Sequence, residues 1–238
     1  MKILLLGYGK MGKTIEEIAN AKGYQIVEKI DVNNKEVFDI LNPENIDVAI
    51  EFSQPDAAYE NIKKCLEKGI KVISGTTGWL NKKIEIDNLC REKNGTFFYA
   101  SNFSIGVNLF FKLNEFLARL IRNYEQYDVK LTEVHHTEKK DAPSGTAITL
   151  AEGILNHIPR LKKWERGIGK NPAAIGIKSI REGKVPGTHS ISYISEIDEI
   201  EIKHEAFSRK GFAVGAIMVA EWIKDKSGVL NMDDFLKF

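Results

Sequence analysis

Between Glu133 and Ala147 the chain reads EVHHTEKKDAPSGTA, which places two histidines, two lysines and a helix start within fifteen residues. Imidazoles exchange protons near neutral pH, so the stretch has the residue types needed to bind an anionic substrate and hand it a proton. Asp128 to His135 alternates and is rich in β-branched residues, which predicts a strand ending at His135. Adjacent residues of an extended chain face opposite ways, so His135 and His136 are expected to have separate roles. Thr137 to Asp141 is a polar, basic connection. Ala142 to Thr146 then opens an apolar-periodic run of Ala147, Leu150, Ala151, Ile154 and Leu155, a helix start with Ser144 as its N-cap. The free N–H groups of Gly145, Thr146 and Ala147 would form an anion pocket at the positive end of the helix dipole, suited to a carboxylate or phosphate. Each piece alone has a plainer reading, as a solvated histidine pair, a solvated lysine face or a bare cap. Their convergence is what points to a site. No metal centre is expected, because the five histidines and the two cysteines, Cys65 and Cys90, fall outside CxxC or HExxH spacing.

A second set of residues lies at the start of the chain. Lys2 to Leu6 is a short apolar strand, Gly7-Tyr8-Gly9-Lys10-Met11-Gly12 is a GxGxxG turn, and Met11, Ile15, Ile18 and Ala19 repeat at helical spacing up to Gly23. Gln25 to Ile30 is the next strand, ended by Asp31. In a dinucleotide site Gly7 makes the tight turn, Gly9 lets the backbone approach the pyrophosphate, Gly12 allows close helix packing and Asp31 accepts from the adenosine ribose hydroxyls. Strands at Asp47 to Phe52, Lys71 to Ser74 and Thr96 to Ala100 follow, separated by helices, one over Ala58 to Gly69 and one from Trp79 to Lys93. This alternation predicts a doubly wound parallel sheet of Rossmann type. Ligands of such sheets lie beyond the C-terminal strand ends, where Phe52-Ser53, Gly75-Thr76-Thr77 and Ser101-Asn102-Phe103-Ser104 fall.

The second half is organised differently. Val107 to Ile121 is an amphipathic helix, and the stretch between Pro159 and Pro172 reads as a mobile loop. Ile175 to Arg181 and His189 to Lys203 read as strands, the latter an antiparallel hairpin turning around Ile197 to Glu199. Phe212 to Lys226 is an apolar helix stopped by Gly228. The expected fold is α/β: a dinucleotide-binding domain of residues 1–104 with 213–238, and a mixed α/β substrate-binding and oligomerisation domain of residues 105–212.

Composition excludes some partners. With 238 residues, 43% of them hydrophobic, a sizeable core is affordable, while a net charge of +1 supplies no field for nucleic acid. No apolar run is long enough for a membrane span. The apolar run at the N-terminus is too short for a signal segment and meets a glycine loop, so a cytoplasmic protein with reduced cysteines is expected.

The ordered set GYGKMG, FSQP, GTTG, ASNFSIGVN, EVHHTEKKDAPSGTA and HEAFSR resembles the 4-hydroxy-tetrahydrodipicolinate (dihydrodipicolinate) reductase family over nearly the whole chain, the stretch from His135 to Ala147 being the most specific. The resemblance implies NAD(P)H-dependent reduction in the diaminopimelate and lysine route. It assigns acid/base work to His135, proton donation to Lys139, and binding of the dicarboxylate to His136, Gly145 and Thr146, beside Ser144. It places the cofactor on Gly7 to Gly12, Asp31, Gly75 to Thr77 and Ser101 to Ser104, and implies a homotetramer built through the second domain's sheet. The chain departs from the family in two places. Its glycine loop is GxGxxG where GxxGxxG is common, and Val32 stands where users of the phosphorylated cofactor often carry an arginine. With Asn33 and Asn34 following, NADH is the expected preference over NADPH, Lys35 being the one cation near enough to serve a 2′-phosphate.

Two other readings stay open on the residues alone. One is another nicotinamide-dependent amino-acid or semialdehyde dehydrogenase, which would lack the paired anion sites. The other is a dinucleotide-sensing regulator, which would need a nucleic-acid-reading element that is not apparent.

Overall fold

The structure is a computed structural model and describes residues 1–168, 171–208 and 210–238. It has two compact units, Met1–Ile105 with Lys210–Phe238, and Gly106–Arg209. The chain returns to the first unit three residues before the expected position 213, because the last long helix starts earlier than its apolar pattern does.

The first unit runs β1 (Lys2–Leu6), α1 (Lys10–Ala21), β2 (Gln25–Ile30), α2 (Val37–Ile40), β3 (Val48–Glu51), α3 (Pro55–Glu67), β4 (Val72–Ser74), α4 (Lys83–Glu92) and β5 (Thr96–Tyr99). Neighbouring strands are parallel, in the order β2-β1-β3-β4-β5 with one more strand beyond β5. Alternate residues of β1 enter different cores, which is why the strand is apolar throughout. Ile3 and Leu5 pack with Ile15 and Ala19 of α1, whereas Leu4 and Leu6 pack with Ala58 and Ile62 of α3. The sheet therefore has helices on both faces, as a doubly wound α/β fold requires.

The second unit contains α5 (Ile105–Ile121, its first residue in the other unit), β6 (Asp128–His135), α6 (Gly145–Leu155), β7 (Lys163–Arg166), β8 (Ala174–Arg181), β9 (Gly187–Ile194) and β10 (Glu199–Ala206). Its sheet is mixed, in the order β10-β9-β6-β8-β7: β6, β7 and β8 are parallel, and β9 runs antiparallel to both β6 and β10. Leu150 and Ile154 of α6 pack on Leu131, Ile177 and Ile191 of this sheet.

Several expectations need correction. Part of the stretch expected to be a mobile loop is β7, which pairs with β8 from Lys163↔Ala174 to Arg166↔Ile177; residues 169 and 170 lie outside the described residues. The hairpin turns at Ser195 to Asp198 rather than Ile197 to Glu199, with Ser195 N–H donating to the Asp198 carbonyl at 2.9 Å. The helix expected from Trp79 begins at Lys83, after a 3₁₀ turn over Leu80–Lys82, because Trp79 is buried with its Nε1–H on the Thr76 carbonyl at 2.8 Å. The last long helix, α7 (Lys210–Trp222), ends before Lys226. Gly228 does not stop it but opens β11 (Gly228–Leu230), which adds to the parallel sheet beside β5 and is followed by α8 (Met232–Leu236). Among the described residues no helix is long and apolar enough to cross a membrane.

Candidate functional site

The strand β6 lies between β8 and β9, and this position assembles a polar cluster that the local sequence does not display. Glu133 is opposite His189 of β9, and His135 is opposite Arg181 of β8. Residues two apart on a strand share a face, so Glu133 and His135 point the same way. Nδ1 of His135 is 3.1 Å from Oε2 of Glu133, close but off the axis of an aligned hydrogen bond. The His135 and His189 rings meet edge to face, 5.1 Å apart at 74°. Glu133 is fully buried, and its Oε1 accepts the Ser144 backbone N–H at 3.1 Å and Arg181 Nη2–H at 3.0 Å. Burial pushes the Glu133 carboxyl up, but the His135 ring beside it and hydrogen bonds from Ser144, Ser179 and Arg181 outweigh it and hold the group well below the usual carboxylate range. Burial, then the neighbouring His135, pushes His189 down to about 3, so that ring is neutral.

Ser144 joins this cluster to the helix start. Its hydroxyl oxygen accepts the Ala147 N–H at 3.2 Å, capping α6, and lies 3.2 Å from Nε2 of His189. A Cβ on Gly145 would meet nothing within 4 Å, so the first turn of α6 is open there. His136, next along the chain, is half-buried and borders a groove with Gly183, Lys184 and Pro186. The two adjacent imidazoles thus occupy different surroundings.

Lys139 sits on the connection between β6 and α6, with its N–H on the His136 carbonyl at 3.1 Å. Its ammonium is 2.8 Å from Oδ1 of Asp141. Burial raises Asp141, but its bond with Lys139 lowers it further, leaving its carboxyl below the ordinary value. Arg181 fastens the same connection, donating Nε–H to the Lys139 carbonyl at 3.3 Å and Nη2–H to that of Asp141.

In the first unit a cleft at the C-terminal ends of β1, β2 and β3 is lined by Gly7, Tyr8, Gly9, Asp31, Lys35 and Ser53, among others. It lies where the strand order changes direction between β1 and β3, the ligand position of open parallel sheets. Gly7 has φ +93°, and a Cβ there would fall 2.3 Å from the Phe52 carbonyl oxygen. A Cβ on Gly12 would fall 2.4 Å from the Gly7 oxygen, whereas one on Gly9 would meet nothing within 4 Å. Backbone bent by Gly7, open space over Gly9 and the start of α1 at Lys10 fit a pyrophosphate, so a dinucleotide suits these residues. Tyr8 is tied back through its hydroxyl to Glu16, and the Lys29 ammonium lies 4.7 Å from its ring centre. Met11 packs on the core. Asp31 is exposed, with Oδ1 accepting the Val32 N–H at 2.7 Å.

Not every expected cofactor contact presents its side chain. Thr76 is buried and donates to Glu51 at 3.0 Å, and Phe103 is buried against Phe52 and Phe98, so these two have their side chains committed to the interior. Gly75 is crowded by the Phe52 ring. Thr77 and Ser101 are exposed, and Asn102 accepts the Ser104 N–H at 2.9 Å.

Five polar residues were missed by the sequence reading. Glu51, fully buried, accepts from Ser53, Ser74 and Thr76 and so ties the ends of β3 and β4 together. Its signal was a lone acid in an apolar strand. Glu133 had one too, two residues before a histidine on the same face. Asp141 lies between His136 and the helix start, where the sequence shows only a polar connection. Arg181 and His189 carry no local signal, since only strand pairing brings them in.

Among known proteins, residues 1–103 match the family model described as dihydrodipicolinate reductase, N-terminus, and residues 106–236 match its C-terminus counterpart. The chain is 50% identical over 238 residues to the 4-hydroxy-tetrahydrodipicolinate reductase of Christiangramia forsetii, covering 99% of this chain and 98% of that one. It is 34% identical over 253 residues to the enzyme of that name from Archaeoglobus fulgidus, covering 96% of each. The dipicolinate-bound dihydrodipicolinate reductase from Paenisporosarcina sp. TG-14 shares the fold, with a TM-score of 0.81 at 21% identity over 99% of both chains. An aspartate dehydrogenase from Thermotoga maritima is less similar, with a TM-score of 0.53 at 12% identity over 95% of this chain and 97% of that one. Matched by both halves of the family model and by full-length relatives, this chain belongs to the dihydrodipicolinate reductase family.

Proposed function

We propose that the chain catalyses the NAD(P)H-dependent reduction of 4-hydroxy-tetrahydrodipicolinate to tetrahydrodipicolinate, a step of the diaminopimelate and lysine route. The observation that carries this reading is the meeting, at the end of β6, of the His135 imidazole beside a buried carboxylate with the Ser144-capped start of α6. A proton-handling group next to an anion seat is what a dicarboxylate bearing a reducible C=N bond needs.

The nicotinamide, when bound, supplies the hydride. Loss of the 4-hydroxyl as water leaves a C=C conjugated with the ring C=N; hydride adds at C4 and drives the electrons onto the nitrogen, which must take a proton. Lys139 gives that proton and His135 shapes the transfer as the acid/base group. His136 and the N–H groups of Gly145 and Thr146 hold the carboxylates, with Ser144 fixing the helix start. In the first unit Gly7 to Gly12 receive the pyrophosphate, Asp31 takes the adenosine ribose, and Gly75 to Thr77 with Ser101 to Ser104 complete the cofactor site, largely through backbone groups.

NADH is the preferred cofactor in this reading, because Asp31 repels a 2′-phosphate and residues 32 to 34 offer no cation. Lys35 borders the same cleft and is the residue through which NADPH would be accepted. The protein is cytoplasmic and homotetrameric, as the family resemblance implies. The test is purified protein with enzymatically generated 4-hydroxy-tetrahydrodipicolinate, following loss of reduced-nicotinamide absorbance with each cofactor. Oxidation of neither cofactor would overturn the reading. A kcat/KM clearly higher with NADPH, and lost in Lys35→Ala, would overturn the NADH preference alone.

A further inference from the structure

We propose that Glu133 is a positioning residue for proton transfer: its Oε2 keeps the ring proton of His135 on Nδ1 and leaves Nε2 as the atom that exchanges protons with the substrate. The inference rests on the acid/base role given to His135 above.

The protons around this one buried carboxylate can be counted. Oε1 already receives two, from the Ser144 N–H and from Arg181. Oε2 has two nitrogens near it, His135 Nδ1 at 3.1 Å and His189 Nε2 at 3.9 Å. His189 is neutral, and its Nε2 faces the Ser144 hydroxyl at 3.2 Å. At 3.9 Å from Oε2 that nitrogen is beyond hydrogen-bond reach and gives the carboxylate no proton. Of the two ring nitrogens only His135 Nδ1 is close enough to give Oε2 a proton; the Ser179 hydroxyl is a further donor to this carboxylate, but Nδ1 has no acceptor other than Oε2. The opposite tautomer would set two lone pairs against each other, 3.1 Å apart, on atoms that are both buried and have no other partner. A small rotation of the imidazole aligns the Nδ1–H with Oε2.

The far side of the ring is shaped to match. A Cβ on Gly187 would fall 3.1 Å from Nε2 of His135, so only glycine leaves that nitrogen unobstructed. The charged and titratable groups around His135 are Glu133 on its own strand, Arg181 on β8 and His189 on β9; Lys139 and His204 lie farther out, where they act on His189. The cluster of Glu133, His135 and His189 has the composition of a metal centre. Arg181 already supplies the positive charge the carboxylate needs, which favours a network for protons.

Glu133→Gln tests this. Ser144 N–H and Arg181 fix the amide oxygen at the Oε1 position, so the amide NH₂ faces Nδ1 and forces the proton onto Nε2. The expected loss in kcat is about 100-fold or more, the scale of general acid–base catalysis. KM should change by less than about threefold, since the carboxylate seat is intact. The kcat–pH profile should shift, and Glu133→Asp should recover part of the activity. Nitrogen-15 NMR of the histidine rings, assigned with a His135→Gln variant, should show Nδ1–H in the unaltered protein. Finding Nε2–H there would overturn the proposal, and would do so even if Glu133→Gln did not fold. A folded Glu133→Gln protein with unchanged kcat and pH profile would overturn it as well. Because the tautomer is read without turnover, failure of the reductase assay and failure of this proposal are separate results.

Discussion

Arg181 and Glu133 are 48 residues apart in the chain, yet the guanidinium Nη2 donates to the carboxylate Oε1 across 3.0 Å. The carboxylate is fully buried, and Arg181 also holds the carbonyls of Lys139, Asp141 and Ile180. Removing one partner of a buried pair leaves a charge uncompensated, at a cost of roughly 3–5 kcal/mol. Arg181→Met should therefore lower the urea-unfolding free energy by about that amount. Arg181→Lys keeps the charge but loses the fork, and should spare more stability than activity. A loss under about 1 kcal/mol in Arg181→Met would mean that the pair is worth no more than an exposed one.

Acid should unfold the protein in two stages. His189 is held down to about 3 by burial, while an unfolded histidine takes its proton near 6.5, so stability falls as pH drops through that window. One such group gives a slope of about 1.4 kcal/mol per pH unit. Glu133 is lowered, so its contribution is complete above the unfolded value of about 4.3 and is lost below it. Urea midpoints measured against pH should show the first decline beginning near 6.5 and shrinking in His189→Gln, with a remainder from His204, which burial also lowers, and with the second retained. An unaltered first decline in that variant would assign it to other groups.

The anion seat and the proton donors should separate kinetically. Gly145→Leu and Thr146→Val should raise KM far more than they lower kcat, because a carboxylate is held in ground and transition states alike. A Cβ added at Gly145 meets nothing within 4 Å, so the substitution is expected to obstruct a ligand and not the fold. His136→Ala should act on KM in the same way. Lys139→Ala and His135→Ala should each lower kcat by roughly two or more orders of magnitude with NADH affinity nearly unchanged. Near-full kcat in His135→Ala, with activity abolished in His136→Ala, would swap the two assignments.

The glycines of the first turn should also divide. Gly9→Ala puts a methyl into open space and should weaken NADH binding while leaving the thermal midpoint in place. Gly12→Ala drives a methyl to 2.4 Å from the Gly7 oxygen and should lower the midpoint as well, because overpacking at such sites costs about 1–3 kcal/mol. Equal loss of stability in both variants would contradict this division.

Whatever depends on neighbours along the chain was legible in the residues alone. The apolar run of Lys2–Leu6, the glycine turn beginning at Gly7, the alternation of β6 and the cap at Ser144 are set within a few residues, and each formed close to where its pattern placed it. The alternation of strands and helices similarly implied a parallel sheet with two covered faces. Tertiary structure alone decided the rest. β7 (KWER) and β11 (GVL) lack the buried apolar runs of β3, β4 and β5, which are strands of the same three or four residues, and exist because β8 and β5 present edges to pair with. Gly228, at φ +97°, looks like a stop yet begins such an edge strand. The surroundings of His135 belong to the same class. Its carboxylate is local, but Arg181 and His189 reach it through hydrogen bonds between strands, and the register of that pairing is a property of the folded sheet.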